Sequence, residues 1–91
     1  ALQNARQAVD QAANDPLVTR YAAAEAARAR EALRQAEFAA RDDRGRDEVA
    51  HRAYVAQQAA AIAVAHAQAR HAEARVQQAS TERERILLQA R

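Results

Sequence analysis

The chain has 91 residues and a net charge of +2, with 14 arginines, no lysine and 12 acidic residues. Alanine supplies 29 residues, whereas Leu, Ile, Val and Phe together number 14, so the chain can bury little besides methyl groups. The lack of cysteine excludes disulfides and thiolate metal sites, and there is no run of about 18 strongly apolar residues to span a membrane.

This composition predicts one Ala-rich helical domain covering residues 1–91. Because the first residue is Ala1 rather than Met, we expect a fragment of a longer protein.

The first helix is predicted over residues 2–14. Its apolar residues recur every three or four positions and form one narrow stripe: Leu2, Ala5, Val9 and Ala12. Pro16 ends this helix, because proline disfavours a helical conformation at Asp15 and is favoured at the first position of a new helix. Residues 17–21 are then either an irregular connection or the first turn of the second helix, and Thr19 is a further candidate N-cap.

The second helix is predicted over residues 17–41 and is most regular over 22–41. Its apolar positions step alternately by four and three, as in a coiled-coil seam: Ala22, Ala26, Ala29, Leu33, Ala36 and Ala40. Because nearly all of them are alanine, a neighbouring helix can approach more closely than a leucine seam permits. Phe38 lies off the seam and requires a third element or a partner to cover it.

The turn at residues 42–45 has the sequence Asp-Asp-Arg-Gly, which suits a tight reversal. Gly45 is predicted to adopt the left-handed conformation that ends a helix, and Asp43 or Asp47 is predicted to cap the next one. So short a connection makes the second and third helices antiparallel neighbours.

The third helix is predicted over residues 46–90, which contain no glycine or proline, and would be about 65–70 Å long. It carries two apolar stripes. The first is an alanine seam that can face the second helix: Val49, Ala53, Ala56, Ala60, Ala63 and Ala67. The second follows heptad spacing: Val55, Ile62, Ala65, Ala69, Ala72, Val76, Ala79 and Ile86.

The two halves of this third helix differ in composition. Residues 46–65 hold several larger apolar side chains and are expected to be covered on two sides: Tyr54, Val55, Ile62 and Val64. Beyond residue 65 such residues thin out until the apolar cluster at 86–88. Thr81 and Glu84 have the spacing of a capping box, but the helix is predicted to continue through them.

Two arrangements of these helices are consistent with the sequence. In the first, the first helix folds back, giving an all-α antiparallel three-helix bundle (about 2–14, 17–41 and 46–90) from which roughly the last 20 residues project. In the second, the first two helices run in line and pair with the third as a long, dimerising hairpin, which places Leu2 near Ile86. The bundle is favoured because it brings the larger side chains together.

No residue pattern indicates catalysis, a cofactor or a metal. The three histidines are His51, His66 and His71, and the five-residue spacing of the last two puts their rings on different faces of a helix. Every acidic residue lies beside an arginine or in a turn, and one glycine cannot form a phosphate-binding loop. We therefore predict a non-enzymatic protein with no catalytic, cofactor-binding or metal-binding residues and no small-molecule substrate.

Seven arginines surround the predicted turn and could meet phosphates: Arg28, Arg30, Arg34, Arg41, Arg44, Arg46 and Arg52. The same segment contains an equal number of acidic residues: Glu25, Glu31, Glu37, Asp42, Asp43, Asp47 and Glu48. Because the two signs balance, an Arg-based nucleic-acid-binding module is the least favoured alternative.

Three segments occur in order along the chain: AREALRQAE at 29–37, AYVAQQAAAIA at 53–63 and ERERILLQAR at 82–91. Together with Ala-Asn-Asp-Pro at 13–16, they resemble the bacterial domain-of-unknown-function family 4398 over nearly the whole chain. The family often has a proline in the stretch matching 22–24, which is missing here. Its members look like N-terminal segments of envelope lipoproteins, often followed by a coil and an OmpA-like peptidoglycan-binding domain.

The resemblance implies a periplasmic, outer-membrane-associated location, with the lipid anchor and any peptidoglycan-binding domain outside this chain. It implies no activity and no site residues. We therefore expect a structural spacer or interaction module that binds a protein partner or associates with itself through helix seams. The cluster at 86–88 is the expected place for self-association or for continuation into a longer coil.

Overall fold

A computed structural model describes residues 1–91 as four helices and no strand. The helices are α1 (Leu2–Asn14), α2 (Pro16–Tyr21), α3 (Ala23–Arg41) and α4 (Arg46–Gln89). The molecule measures 71 × 16 × 16 Å, so α4 alone sets its long dimension. The predicted all-α class is confirmed.

The first helix folds back on the others. Residues of α1 and α3 share one buried cluster with those of α4: Ala5, Val9, Ala12, Ala29, Ala53, Ala56 and Ala60. Arg6 on α1 donates to Glu37 near the end of α3 at 2.9 Å, and Leu2 lies beside the α3–α4 turn, in a groove shared with Val49. Thus α1 runs antiparallel to α3 and parallel to α4.

This topology confirms the three-helix bundle and shows that the in-line hairpin was wrong. In the hairpin, Leu2 would approach Ile86, but it lies at the opposite end of α4. The physical reason is that folding back lets α1 bury its stripe against two helices at once.

The predicted second helix is broken at Ala22, whose backbone (φ −143°, ψ 38°) is not helical. Asp15 caps α2, its carboxylate accepting from the Leu17 N–H at 2.9 Å, and Pro16 occupies the first turn. Thr19 lies inside α2 and donates to the Asp15 carbonyl, so its assignment as an N-cap was wrong. The break lets Val18 and Ala22 pack against α4 in a second buried cluster. Helix propensity does not predict the break, because the stabilisation comes from this tertiary contact.

The turn after α3 uses its residues differently from the prediction. Asp43 takes the left-handed conformation (φ 55°), and Gly45 (φ 98°, ψ 154°) is the N-cap of α4. No side chain caps α4, so the predicted capping by Asp43 or Asp47 was wrong. Gly45 has no Cβ and can hold this strained conformation, which brings α4 back alongside α3.

The alanine seam of α4 is confirmed, since five of its alanines are buried: Ala53, Ala56, Ala60, Ala63 and Ala67. On α3 the predicted seam holds except at its end, where Ala39 is buried and Ala40 is exposed. Because α3 packs against both α1 and α4, its buried face departs from the line of a two-helix seam.

The expectation that the first half of α4 is covered on two sides was wrong. Tyr54, Val55 and Ile62 are 58%, 43% and 49% exposed, and only Val64 is partly covered. The reason is that α1, α2 and α3 all pack on the alanine side of α4. Phe38 is likewise exposed, and it is flanked by the Arg44 guanidinium 5.0 Å from its ring centre rather than by a helix.

The last partly buried residue of α4 is Ala74, which marks the end of the bundle. Beyond it, α4 continues through Thr81–Glu84 to Gln89, as predicted. Residues 75–91 are all exposed. None of the helices combines the length and the hydropathy that a membrane-crossing helix requires.

Candidate functional site: the Glu25 cluster and the exposed stripe of α4

A polar cluster joins the start of α3 to the middle of α4. The Glu25 Oε2 atom accepts from Arg70 Nη2 at 2.6 Å and lies 2.9 Å from His66 Nδ1. Arg70 Nη1 also donates to the Tyr21 carbonyl, which the break at Ala22 leaves free of the α-helical pattern. These side chains, with the Tyr21 carbonyl, are called the Glu25 cluster.

The environment of Glu25 strongly favours its ionised form. Its side chain is only 10% exposed, whereas those of His66 and Arg70 are about half exposed. The hydrogen bond from Arg70, followed by that with His66, lowers the Glu25 pKa from 4.5 to about 2. A carboxylate with so low a pKa is a poor general base, so the cluster suits a clamp better than acid–base chemistry.

The other two histidines are not members of this cluster, although His71 lies next to it. His71 packs against the Tyr21 ring with centroids 5.7 Å apart, and His51 lines a shallow groove beside Ala32 and Val55. No three histidine or acidic side chains converge in a geometry that could hold a metal ion.

The seven arginines predicted to surround the turn do not all lie there, because Arg28, Arg30 and Arg34 are spread back along α3. Three of the seven also pair with acidic neighbours. Arg34 pairs with Glu31, Arg44 bridges Asp42 and Glu48, and Arg52 lies 3.5 Å from Glu48. Exposed pairs of this kind contribute little stability, but they reduce the positive charge available to a phosphate backbone.

The second candidate surface is the heptad stripe of α4, called here the exposed stripe: Val55, Ile62, Ala65, Ala69, Ala72, Val76, Ala79 and Ile86. All eight residues are exposed. The four large ones are between 43% and 63% exposed, a high fraction for aliphatic side chains that share one line. A surface of this form can bind another helix.

Comparison with protein families decides what the chain is related to. The family model described as a domain of unknown function, DUF4398, matches residues 1–79. The chain is a DUF4398 domain. No curated protein and no solved structure matches it.

The DUF4398 match covers α1, α2, α3 and α4 as far as Ala79. It therefore includes the whole bundle, the Glu25 cluster and the exposed stripe except for Ile86. The family description assigns no activity to DUF4398 domains.

Sequence reasoning identified the exposed stripe but missed the Glu25 cluster. In the sequence, Glu25 is one of seven acidic residues that balance nearby arginines, and nothing distinguishes it from the others. The signal available was the i,i+4 spacing of His66 and Arg70, which places both side chains on one face of α4. Their carboxylate partner depends on how α3 docks, which spacing along α4 does not specify.

The Glu25 clamp predicts a particular loss of stability in acid. Because the folded-state pKa lies below the ordinary value of 4.5, the ionised carboxylate stabilises the fold above pH 4.5. That contribution disappears as the pH falls from 4.5 towards about 2. In Glu25→Gln the free energy of unfolding should be lower than wild type at pH 7, and the difference should vanish towards pH 2. Urea denaturation followed by circular dichroism measures it.

The matched control is Glu84→Gln, which removes an exposed carboxylate on the projecting part of α4. This variant should keep the wild-type stability at pH 7 and the wild-type decline in acid. Equal pH profiles for wild type and Glu25→Gln would show that the cluster does not clamp α3 to α4.

Proposed function

We propose that this DUF4398 domain is a non-enzymatic spacer and interaction module of a bacterial cell-envelope protein. In this role a compact helical base carries a rigid α-helix that reaches away from it. The rigid helix spans distance, and its apolar stripe offers a surface to another helix.

One observation carries the proposal: α4 continues as a regular helix for residues 75–89, where no other part of the chain packs against it. An isolated helix of this length is marginal in water, but here it extends a helix that the bundle already nucleates. Ala, Gln, Glu and Arg, which favour helix, dominate the projecting segment. The projecting segment therefore stays helical and extends the molecule without burying apolar surface.

The envelope setting rests on the resemblance of the sequence to envelope lipoprotein segments, since the family description names no location. In that setting the lipid anchor and the peptidoglycan-binding domain belong to the parent protein outside residues 1–91. The arrangement of the helices suits a connector between two such attachment points, because 71 Å of nearly straight protein is gained from only 91 residues.

The length of the projecting helix provides a test in cells. Deleting residues 75–81 from the parent protein removes two helical turns, or about 10 Å, while keeping the heptad phase, and it also removes Val76 and Ala79 of the exposed stripe. We expect the variant to fold but to fail to complement the envelope defect of a strain that lacks the parent gene. Inserting an unrelated helical heptad with polar residues at both stripe positions should restore complementation, which attributes the defect to length rather than to the stripe.

A matched variant separates length from surface chemistry. Gln77→Glu with Gln78→Glu changes two exposed residues off the stripe and keeps the length, so it should complement fully. Full function of the shortened protein would refute the spacer role. Recovery of the tagged parent protein in the cytosol rather than with the outer membrane would refute the envelope location.

A further inference from the structure

We propose that the exposed stripe recognises a second copy of itself, with two chains pairing antiparallel along α4. The two-fold axis passes between Ala69 and Ala72. This inference rests on the interaction part of the proposed function, because it names the partner of the surface described above. The C-termini of an antiparallel pair point in opposite directions, so the pair and a spacer that points every copy the same way are alternatives, which the tests below separate.

The stripe lies on the side of α4 opposite to the bundle. Two residues along a helix correspond to a rotation of about 200°, and the exposed Val55 and Ala65 follow the buried Ala53 and Ala63 at this spacing. A second helix can therefore lie along the stripe without displacing α1 or α3. The buried alanine seams are already occupied within one chain, which leaves the stripe as the unpaired seam.

Side-chain sizes along the stripe fit an antiparallel partner. In heptad terms the a positions are Val55, Ile62, Ala69, Val76 and Arg83, and the d positions are Gln58, Ala65, Ala72, Ala79 and Ile86. Antiparallel helices pack a against d, so Ile62 meets Ala79 of the second copy and Val76 meets Ala65. Ile62 and Val76 each face an alanine, Ala69 faces Ala72 at the axis, and Val55 faces Ile86 at both ends, so the two helices are closest at the centre of the pair.

A parallel pair does not share this fit. It would stack Ile62 on Ile62 and Ala65 on Ala65 of the second copy, so wide layers would alternate with narrow ones and leave gaps. It would also place the two Arg83 guanidinium groups face to face, with like charges in the seam. In the antiparallel pair, Arg83 instead faces the Gln58 amide of the second copy, whose oxygen can accept a hydrogen bond.

Charges beside the stripe select the register. In the proposed register, Glu73 of each copy lies beside His66 of the other, whose Nδ1 atom also contacts Glu25 of its own chain. The two Glu73 carboxylates stay apart. Sliding one chain by a heptad towards the C-terminus brings Glu73 against Glu73 and Arg75 against Arg75, which is repulsive. Sliding it the other way brings His66 against His66 and takes Ile86 beyond the stripe of the second copy.

Disulfide cross-linking distinguishes orientation and register, because the wild-type chain has no cysteine. Ile62→Cys and Ala79→Cys each replace an exposed residue, so both variants should fold. After mixing under mild oxidation, we expect the 62–79 heterodisulfide to dominate by at least about tenfold over either homodisulfide. In the proposed pair, identical positions are about 25 Å apart, far beyond disulfide reach. Thr81→Cys, on the opposite face of α4, should remain uncross-linked.

Light scattering tests association directly. The wild-type mass should rise with concentration from 10.0 kDa towards twice that value. Ile62→Glu should raise the dimer dissociation constant about 100-fold, because it puts a charge in the seam. The control Gln78→Glu adds the same charge off the stripe and should leave the constant unchanged.

Two outcomes would overturn the antiparallel pair: dominant 62–62 and 79–79 disulfides, or a mass that stays at 10.0 kDa at millimolar concentration. Either would leave the spacer role to the complementation test, which depends on helix length. Conversely, a robust heterodisulfide with full function of the shortened parent protein would support the pair and refute the spacer.

Discussion

Ala56→Leu is expected to lower the free energy of unfolding by about 2–3 kcal/mol, because it overpacks a closed helix interface. The Ala56 side chain is fully buried in the cluster shared by α1, α3 and α4. Its neighbours are mostly alanine methyl groups, which have no rotamers to move aside. Leucine therefore has to push the helices apart and uncover their seams.

Thermal unfolding followed by circular dichroism at 222 nm measures this loss. For a domain of this size, about 2–3 kcal/mol corresponds to a decrease in Tm of roughly 10–20 °C. The control is Ala27→Leu, on the exposed side of α3. Alanine and leucine have similar helix propensities, so the control should change stability by less than about 0.5 kcal/mol. Similar losses in both variants would contradict the close-packed interface.

Val18→Asp is expected to destabilise the fold by at least about 3 kcal/mol at pH 7, because it buries a carboxylate without a partner. Val18 is the largest fully buried side chain, and it holds α2 against Ala63 and Ala67 of α4. Burial would raise the pKa of the new carboxyl group above its unfolded value. The destabilisation should therefore be largest above the folded-state pKa and smallest below the unfolded one.

Hydrogen exchange and denaturant unfolding report the loss of docking by α2. The matched control is Thr19→Asp, the next residue of the same six-residue helix, whose side chain is exposed. It should change the free energy of unfolding by no more than about 0.5 kcal/mol. If Val18→Asp were as stable as Thr19→Asp, the second buried cluster would not be what anchors the α1–α3 connection.

Much of the fold follows from local rules. The end of α1 at Pro16 depends on the missing N–H and restricted backbone of proline, which act on any chain. The short 42–45 turn requires α3 and α4 to be antiparallel. The alanine seam of α4 was predictable because its 3.6-residue periodicity is strong and uninterrupted.

The break at Ala22 could not be derived in this way. Ala22 has the best helix propensity of any residue, and local preference alone would continue the helix through it. What opposes that preference is the burial of Val18 against α4 and the hydrogen bond from Arg70 to the Tyr21 carbonyl. Both involve residues more than 40 positions away in the chain.

Of the two parts of the candidate site, one could be predicted from the sequence and the other could not. The exposed stripe is a heptad pattern and was visible in the sequence, but its exposure depended on which side of α4 the other helices would choose. The Glu25 cluster needed both the break at Ala22 and the docking of α3, so no spacing along the chain predicts it.

The sequence by itself determined that this protein is helical, where most helices begin and end, and that α4 is one long rod, because these depend on residues within a few positions of each other. Only the tertiary structure decided that α1 folds back, that the bundle uses the alanine face of α4, and that the stripe of Val55, Ile62, Val76 and Ile86 remains open. The reason is energetic: the fold gains from close approach of alanine-lined helices, and the larger aliphatic side chains on the opposite face stay exposed.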